Sequence, residues 1–206
     1  MNTKNLLFLL TLICFYACTS DKKKSSSSNE ITEQPTEKVS EKEIISNKID
    51  VEKQIEIIRN DFNDIDSKLA TLKKKSTTLQ ENRLSVEIEG FYDANKIVKV
   101  VNTEVLGHSV VKISYYLKDD KLFFVYETRS DEASVNGPFT IRELRTYIHK
   151  GQLLKALKKE KTFEKDEDIN IANVPNIDIT EEVVKSKGLI KLYNKGYSKR
   201  INQLIN

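Results

Sequence analysis

The sequence predicts an α+β domain in which a long N-terminal helix packs on an antiparallel meander of about six strands, followed by a C-terminal helix. Three observations predict this fold. Apolar residues recur at spacings of three and four over residues 41–77. They alternate with polar residues in several runs over residues 84–161, and helical spacing returns over residues 179–205.

The first helix is predicted over residues 41–77. Ser40 and Glu43 have the spacing of a capping box. Two interpretations of the apolar stripe remain open. It packs across the sheet of the same domain, or it forms a coiled coil with a partner or a second copy, for which about three heptads is the lower limit. The sheet that follows needs a cover, which favours packing within the domain. The stripe consists of Val51, Ile55, Ile58, Phe62, Ile65, Leu69 and Leu72.

The sheet is predicted over residues 84–161. Residues 84–92 alternate apolar and polar side chains, as a half-buried antiparallel strand does, and residues 111–117 do so again. Residues 122–128 are apolar on both faces, which is typical of a central strand. Lys150-Gly151 is a dipeptide suited to a tight hairpin. Residues 130–139, which contain Asn-Gly-Pro, are predicted to be a loop.

Three hairpins share one pattern, which is a weak internal repeat. The segments FYDANKIVKV, YLKDDKLFFV and YIHKGQLLKA begin at Phe91, Tyr116 and Tyr147. These three aromatic residues occupy the same repeat position, which the alternation in the first and third predicted strands places opposite the main apolar face. They are the candidate binding face for a protein, peptide or glycan. In the alternative interpretation the C-terminal helix covers this face and the row belongs to the core.

The C-terminal part is predicted to be a polar loop over residues 162–178 and a helix over residues 179–205. Asp178 and Glu181 have the spacing of a helix cap. Gly188 and Gly196 each weaken a helix by about 1 kcal/mol relative to alanine. A kinked or two-part helix is therefore expected.

The N-terminus is predicted to be a signal peptide over residues 1–17. Lys4 precedes an apolar run, Leu6 to Tyr16, which suits a signal sequence better than a spanning helix of about 20 residues. Ala17 before Cys18 resembles the lipobox of bacterial lipoproteins. That resemblance implies cleavage before Cys18, which then carries the acyl chains. Residues 18–40 are the lipidated cysteine and a disordered tether, and residues 41–206 form the single domain.

Composition and motifs argue against several functions. The 34 basic and 31 acidic residues are mixed along the chain and leave a net charge of only +3, so no nucleic-acid partner is expected. Cys14 leaves with the signal peptide and Cys18 is lipidated, so no cysteine remains to bind a metal. His108 and His149 are expected to be exposed turn residues. We therefore expect no catalytic residues, no metal and no cofactor, and we expect that the chain is not an enzyme.

The order of elements resembles the small uncharacterised lipoproteins common in Bacteroidetes. The segments that carry this resemblance are VEKQIEIIRNDFNDIDSKL, GFYD with KIVKV, and YYLKDDKLFFVYE, over residues 51–159. The resemblance implies a fold and a lipid-anchored location in the cell envelope. It implies no activity and no functional residues.

Two functions from different classes remain. The first is a non-enzymatic module, anchored through the acyl chains on Cys18, that holds another envelope protein or a glycan. The alternative is a carrier of a small apolar ligand or lipid, which predicts a cavity between a helix and the face of Val86, Ile113 and Tyr115. For both, the expected location is the outer membrane, on its periplasmic or its surface side.

Overall fold

The computed structural model describes residues 41–132, 137–164 and 167–205, and the side chains of all of these except residues 41–49 and 81. The described residues form three helices and eight strands. The strands make one antiparallel sheet in chain order. The elements are α1 (Glu41–Ser67), β1 (Lys73–Glu81), β2 (Leu84–Asp93), β3 (Lys96–Leu106), β4 (Ser109–Lys118), β5 (Lys121–Glu132), β6 (Phe139–His149), β7 (Gln152–Phe163), β8 (Ile177–Asp178), α2 (Thr180–Ser186) and α3 (Leu189–Ile205).

The α+β class, the antiparallel sheet and the C-terminal helix are confirmed, but the predicted helix over residues 41–77 and the six strands are wrong. Helix α1 ends at Ser67, and residues 73–81 are strand β1, paired with β2. Leu69 and Leu72 continue the helical spacing, yet Leu79 packs in the core as a strand residue. Pairing with β2 outweighs local helix propensity, which is a weak preference.

The eighth strand is Ile177–Asp178, which pairs with β7 inside the predicted loop over residues 162–178. Strand β5 continues to Glu132, and β6 begins at Phe139, so the ends of the predicted loop over residues 130–139 are strand. The predictions for residues 1–40 lie outside the described residues.

The repeated hairpins share an irregularity in register. The pairing shifts by one residue directly after Phe91, Tyr116 and Tyr147, and leaves Val98, Phe123 and Leu154 unpaired in the second strand of each hairpin. Such β-bulges turn an extra side chain toward one face. Phe123 and Leu154 join the cluster beneath α1. The sequence repeat therefore corresponds to hairpins that each carry a β-bulge at the same position. Together these hairpins form the surface on which α1 packs.

Helices α1 and α3 cover opposite faces of the sheet. Tyr115 and Tyr116 are neighbours in β4, so their side chains point to opposite faces. Tyr115 packs in a cluster with Tyr193 of α3, whereas Tyr116 packs in a cluster with Ile55 and Ile58 of α1. The side of the sheet with Val86, Ile88 and Tyr115 is therefore the α3 face, and the side with the predicted aromatic row is the α1 face.

The predicted C-terminal helix over residues 179–205 is two helices, as the glycines indicate. Helices α2 and α3 are separated at Lys187 and Gly188. Gly196 does not break α3, because it lies where the helix approaches the sheet. A Cβ atom added there would come within 2.7 Å of the Tyr115 hydroxyl oxygen. Close packing on Tyr115 therefore explains why this helical position is a glycine.

Candidate functional site

Helix α1 crosses the strands and lies over one end of its face of the sheet. Four contacts trace its path from β7 to β3. They join Glu52 to Lys155, Arg59 to Tyr147, Phe62 to Phe124, and Asp66 to Lys99.

The end of α1 is fixed by a polar cluster on the sheet. The Lys99 Nζ donates to Asp66 Oδ1 at 2.7 Å, and the Tyr116 hydroxyl donates to Asp66 Oδ2 at 3.0 Å. Lys99 also lies over the Tyr116 ring, 4.6 Å from its centroid. The Lys99 side chain is only 9% exposed. The Asp66 carboxylate offsets the free-energy cost of burying the Lys99 ammonium group.

The three predicted binding residues lie in one cross-strand row, but they are not one exposed surface. The register places Phe91, Lys99, Tyr116, Phe124 and Tyr147 side by side on β2 to β6. Tyr116 and Tyr147 are 3% and 2% exposed, and Phe91 is half-buried. Helix α1 packs over this row, and the C-terminal helix does not. The β-bulges of the hairpins give this face the shape against which α1 packs.

A cleft opens beside α1 where the row meets the next residues of the sheet. We call it the tyrosine cleft, and it has a volume of about 360 Å³. Its floor and walls are aromatic and apolar, and polar groups line its mouth. The lining residues are Arg59, Phe62, Asn63, Asp66, Tyr116, Phe124, Tyr126, Arg145, Tyr147, Leu157 and Asn176.

Two guanidinium groups line the cleft, each over a tyrosine ring. Arg59 of α1 lies 5.7 Å from the Tyr147 ring centroid, and its Nε donates a long hydrogen bond of 3.5 Å to the Tyr147 hydroxyl. Arg145 of β6 lies 5.7 Å from the ring centroid of Tyr126, its partner in β5. Each guanidinium is thus stacked against a tyrosine, which holds both over the mouth of the cleft.

The two arginines differ in their charge partners. Arg145 Nη2 lies 2.8 Å from the buried Glu143 carboxylate, and its Nη1 donates to Asn176 at 3.3 Å. Within the described part of the chain, Arg59 contacts Tyr147 and forms no ion pair with a carboxylate. Arg59 therefore keeps donors free for an acceptor outside the protein.

The segment after β7 closes one side of the cleft because a buried lysine holds it. Lys159, 6% exposed, donates to the carbonyl oxygens of Ile171 and Ala172 at 3.3 and 2.7 Å. These bonds satisfy an ammonium that burial would otherwise penalise. The same segment carries Asn176 to the mouth of the cleft.

A second groove of about 400 Å³ lies beside the tyrosine cleft on the α1 face. Asp66, Tyr116 and Tyr126 line both, so the two are contiguous. The rest of the groove is lined by a mixture of apolar and polar side chains, with Val101, Lys112 and Thr128 among its residues. The combined site is therefore longer than the tyrosine cleft alone.

Two tyrosine hydroxyls of the cleft have raised pKa values. Burial, and then a hydrogen bond to Glu143, together raise the pKa of Tyr126 to about 12. Burial, and then the neighbouring Asp66, also raise the pKa of Tyr116. Both hydroxyls therefore stay neutral near physiological pH and act as hydrogen-bond donors and acceptors.

A larger cleft, of about 610 Å³, lies elsewhere, between Val51 and the start of α2. Its lining includes the exposed carboxylates Glu181 and Glu182 and no aromatic side chain. Binding sites are lined mainly by apolar and aromatic groups with a few convergent polar ones. On that criterion the tyrosine cleft is the better candidate.

The other candidate residues do not converge on a site. His108 lies in a turn beside Glu132, at 3.5 Å, and His149 ends β6. In the part of the chain that the structure describes, no group of three His, Cys, Asp or Glu residues is placed to hold a metal ion. None of the described helices is both long and apolar enough to cross a membrane. Cys18, the predicted lipidation site, lies outside the described residues.

Side chains of α3 occupy the place where the carrier alternative expects a cavity. Val86 and Tyr115 are buried in one cluster with Tyr193, and Ile113 and Tyr197 pack against it. The Tyr115 ring also meets Tyr193 edge-on at 6.2 Å between centroids. An apolar ligand on this face would have to displace α3.

Sequence reasoning missed Arg59, Tyr126 and Arg145. One signal was present for Arg145, which is two residues from Tyr147 of the predicted row and therefore on the same face. Tyr126 pairs with Arg145 across the strands, a register that the sequence did not predict. No local signal marks Arg59, because it and Tyr147 are 88 positions apart. Comparison with protein family models, with curated proteins and with solved structures gives no match.

Proposed function

We propose that this chain is a non-enzymatic binding module of the cell envelope, anchored through acyl chains on Cys18, which holds an envelope protein or a glycan in the tyrosine cleft. The observation that carries the proposal is the pair of guanidiniums, Arg59 and Arg145, stacked on tyrosines above an aromatic floor. Such a combination supplies apolar contact area together with directional hydrogen bonds.

The chemistry of the cleft supports binding rather than catalysis. General acid–base catalysis needs a group that titrates near the working pH. Here Asp66 is paired with Lys99 and Tyr116, and Glu143 is paired with Arg145. Carboxylates held by such partners and neutral phenols are suited to bind and orient a ligand.

The N-terminal segment supports location in the envelope. Residues 1–17 have the pattern of a signal peptide, and Ala17-Cys18 that of a lipobox. Two or three acyl chains anchor a protein stably, because each buried methylene contributes about 0.8 kcal/mol. A tether of some twenty residues gives the domain a reach of about 25 Å, which lets the cleft meet a component near the membrane.

The test uses two tryptophan variants of α1. Asn63 lines the cleft, whereas Asn60 is exposed and lies outside its lining, so N63W fills the cleft and N60W is the matched control. Full-length protein in detergent is co-sedimented with purified peptidoglycan and, separately, pulled down with solubilised outer-membrane proteins. We expect wild type and N60W to be retained by one of these fractions and N63W to be lost. Equal retention of N63W would show that the cleft is not the binding surface.

A further inference from the structure

The charges around the tyrosine cleft define the kind of ligand that it accepts. Among the described residues that line it, the carboxylate of Asp66 is matched by Lys99 and Arg145 is matched by Glu143. Arg59 is the cation that remains. One uncompensated guanidinium favours a single negative charge, and the nearby Asp66 and Glu143 carboxylates oppose a dianion such as a phosphate monoester.

The donors at the mouth favour a planar anion. Arg59 stacks on Tyr147 and leaves its terminal nitrogens free. The planar guanidinium group can therefore donate a hydrogen bond to each oxygen of one carboxylate. Asn63 and Asn176 lie beside it in the lining and add amide groups. A carboxylate matches the fork of a guanidinium in plane and spacing.

The walls of the cleft favour a ring. Phe62 and Phe124 stack face to face at 4.3 Å between centroids, and the half-buried Tyr126 lies beside them in the lining. The half-buried rings of Phe62 and Tyr126 are the aromatic surfaces left for a ligand, and they offer more contact to a ring than to a flexible chain. A volume of about 360 Å³ lies at the small end of ligand sites, so it suits one six-membered ring with its substituents.

We infer that the tyrosine cleft binds a six-membered ring that carries one carboxylate, with the carboxylate on Arg59 and the ring against the aromatic wall. This inference rests on the proposed function and names the chemistry of its ligand. Two sources offer that chemistry, an acidic sugar of a glycan and an aromatic acid. The contiguous groove leaves room for further groups of the ligand beyond the ring.

The experiment measures binding of four probes to the full-length chain in detergent by isothermal titration calorimetry. N-acetylmuramic acid is compared with N-acetylglucosamine, which lacks its carboxylate, and benzoate is compared with benzamide. We expect the acid of one pair to bind at least tenfold more tightly than its neutral partner. Preference for N-acetylmuramic acid identifies an acidic sugar, and preference for benzoate identifies an aromatic acid.

Variants then assign the preference to the cleft. Arg59→Gln should remove the preference for the acid, while Arg83→Gln, an exposed arginine in the β1–β2 turn, should keep it. If neutral and acidic probes bind equally, or if no probe binds while N63W still abolishes retention by the envelope fractions, the inference is wrong and the proposed function stands. If no probe binds and N63W is retained like wild type, both are wrong.

Discussion

Lys99 of β3 and Asp66 of α1 form an ion pair of 2.7 Å that joins the end of the helix to the middle of the sheet. The pair lies at the boundary between the tyrosine cleft and the contiguous groove, since Asp66 lines both. It therefore links the packing of α1 to the shape of the candidate site.

Replacing Asp66 with asparagine should destabilise the domain by about 2 kcal/mol. The change leaves the buried ammonium of Lys99 without its counter-charge and weakens the bond from the Tyr116 hydroxyl. Urea denaturation followed by circular dichroism measures the loss. Asp64→Asn is the matched control, because Asp64 pairs with Lys68 on the exposed surface and should cost less than about 0.5 kcal/mol. Equal costs would contradict a structural role for the Lys99 pair.

Gly196→Ala should destabilise the domain by about 1–3 kcal/mol, because the new methyl group meets the Tyr115 hydroxyl. The same change in a Tyr115→Phe background should cost much less. With the oxygen gone, the nearest atom is the ring carbon Cζ at 3.5 Å, an ordinary contact. A double-mutant cycle from thermal unfolding gives the coupling. If the two substitutions are additive, α3 does not pack on Tyr115 in this way.

Gly151→Ala should cost about 1–2 kcal/mol, whereas Gly188→Ala should change stability by less than about 0.5 kcal/mol. Neither glycine has a neighbouring atom within 4 Å of an added Cβ, so space does not distinguish them. Gly151 has a φ of 79°, which L-residues rarely adopt, and Gly188 has no positive φ. Melting temperatures of the two variants compare them directly. A harmless Gly151→Ala would argue against the tight turn at Lys150-Gly151.

Glu127→Gln should stabilise the domain near neutral pH, by less than about 1 kcal/mol. Burial beneath α3 raises the pKa of Glu127 above its ordinary value. The folded state therefore holds this proton more tightly than the unfolded state, and the Glu127 contribution to stability falls as pH rises from the ordinary pKa to the raised one. The advantage of the variant should accordingly shrink below about pH 4. Stability curves for both proteins across this range test it, and a pH-independent difference would contradict it.

Cys18→Ser should abolish lipid attachment. Cells that express the full chain are grown with radioactive palmitate, and the protein is recovered with an antibody to the domain. We expect label in wild type and none in the variant, which should also leave the membrane fraction. The Cys14→Ser variant is the control and should remain labelled, because the proposed cleavage before Cys18 removes Cys14. Label retained in Cys18→Ser would contradict the proposed anchor.

The sequence predicted the hairpins more accurately than it predicted the helices that pack on them. The aromatic position of Phe91, Tyr116 and Tyr147 marks the same bulge in each hairpin, so a local pattern had a local structural cause. Strand β1 was missed because Leu69 and Leu72 extend the helical spacing, and only pairing with β2 decides against a helix.

The assignment of helices to faces depends on contacts distant in sequence. Both α1 and α3 are amphipathic, and each could cover either side of the sheet. The bulge residues Phe123 and Leu154 place α1 on one face of the sheet. The close approach of Gly196 to Tyr115 places α3 on the other face. For the same reason the cleft could be predicted only in part. Its sheet residues flank the aromatic row, but Arg59 reaches it from α1.

The most direct test of the central claim is to map the binding surface by amide NMR. Isotope-labelled protein from residue 19 onward is titrated with soluble peptidoglycan fragments and with solubilised outer-membrane proteins. We expect the signals of Arg59, Tyr126 and Arg145 to shift together and N63W to remove these shifts. Shifts confined to the edge strand β1 or to the outer side of α3, with the cleft signals unchanged, would contradict it.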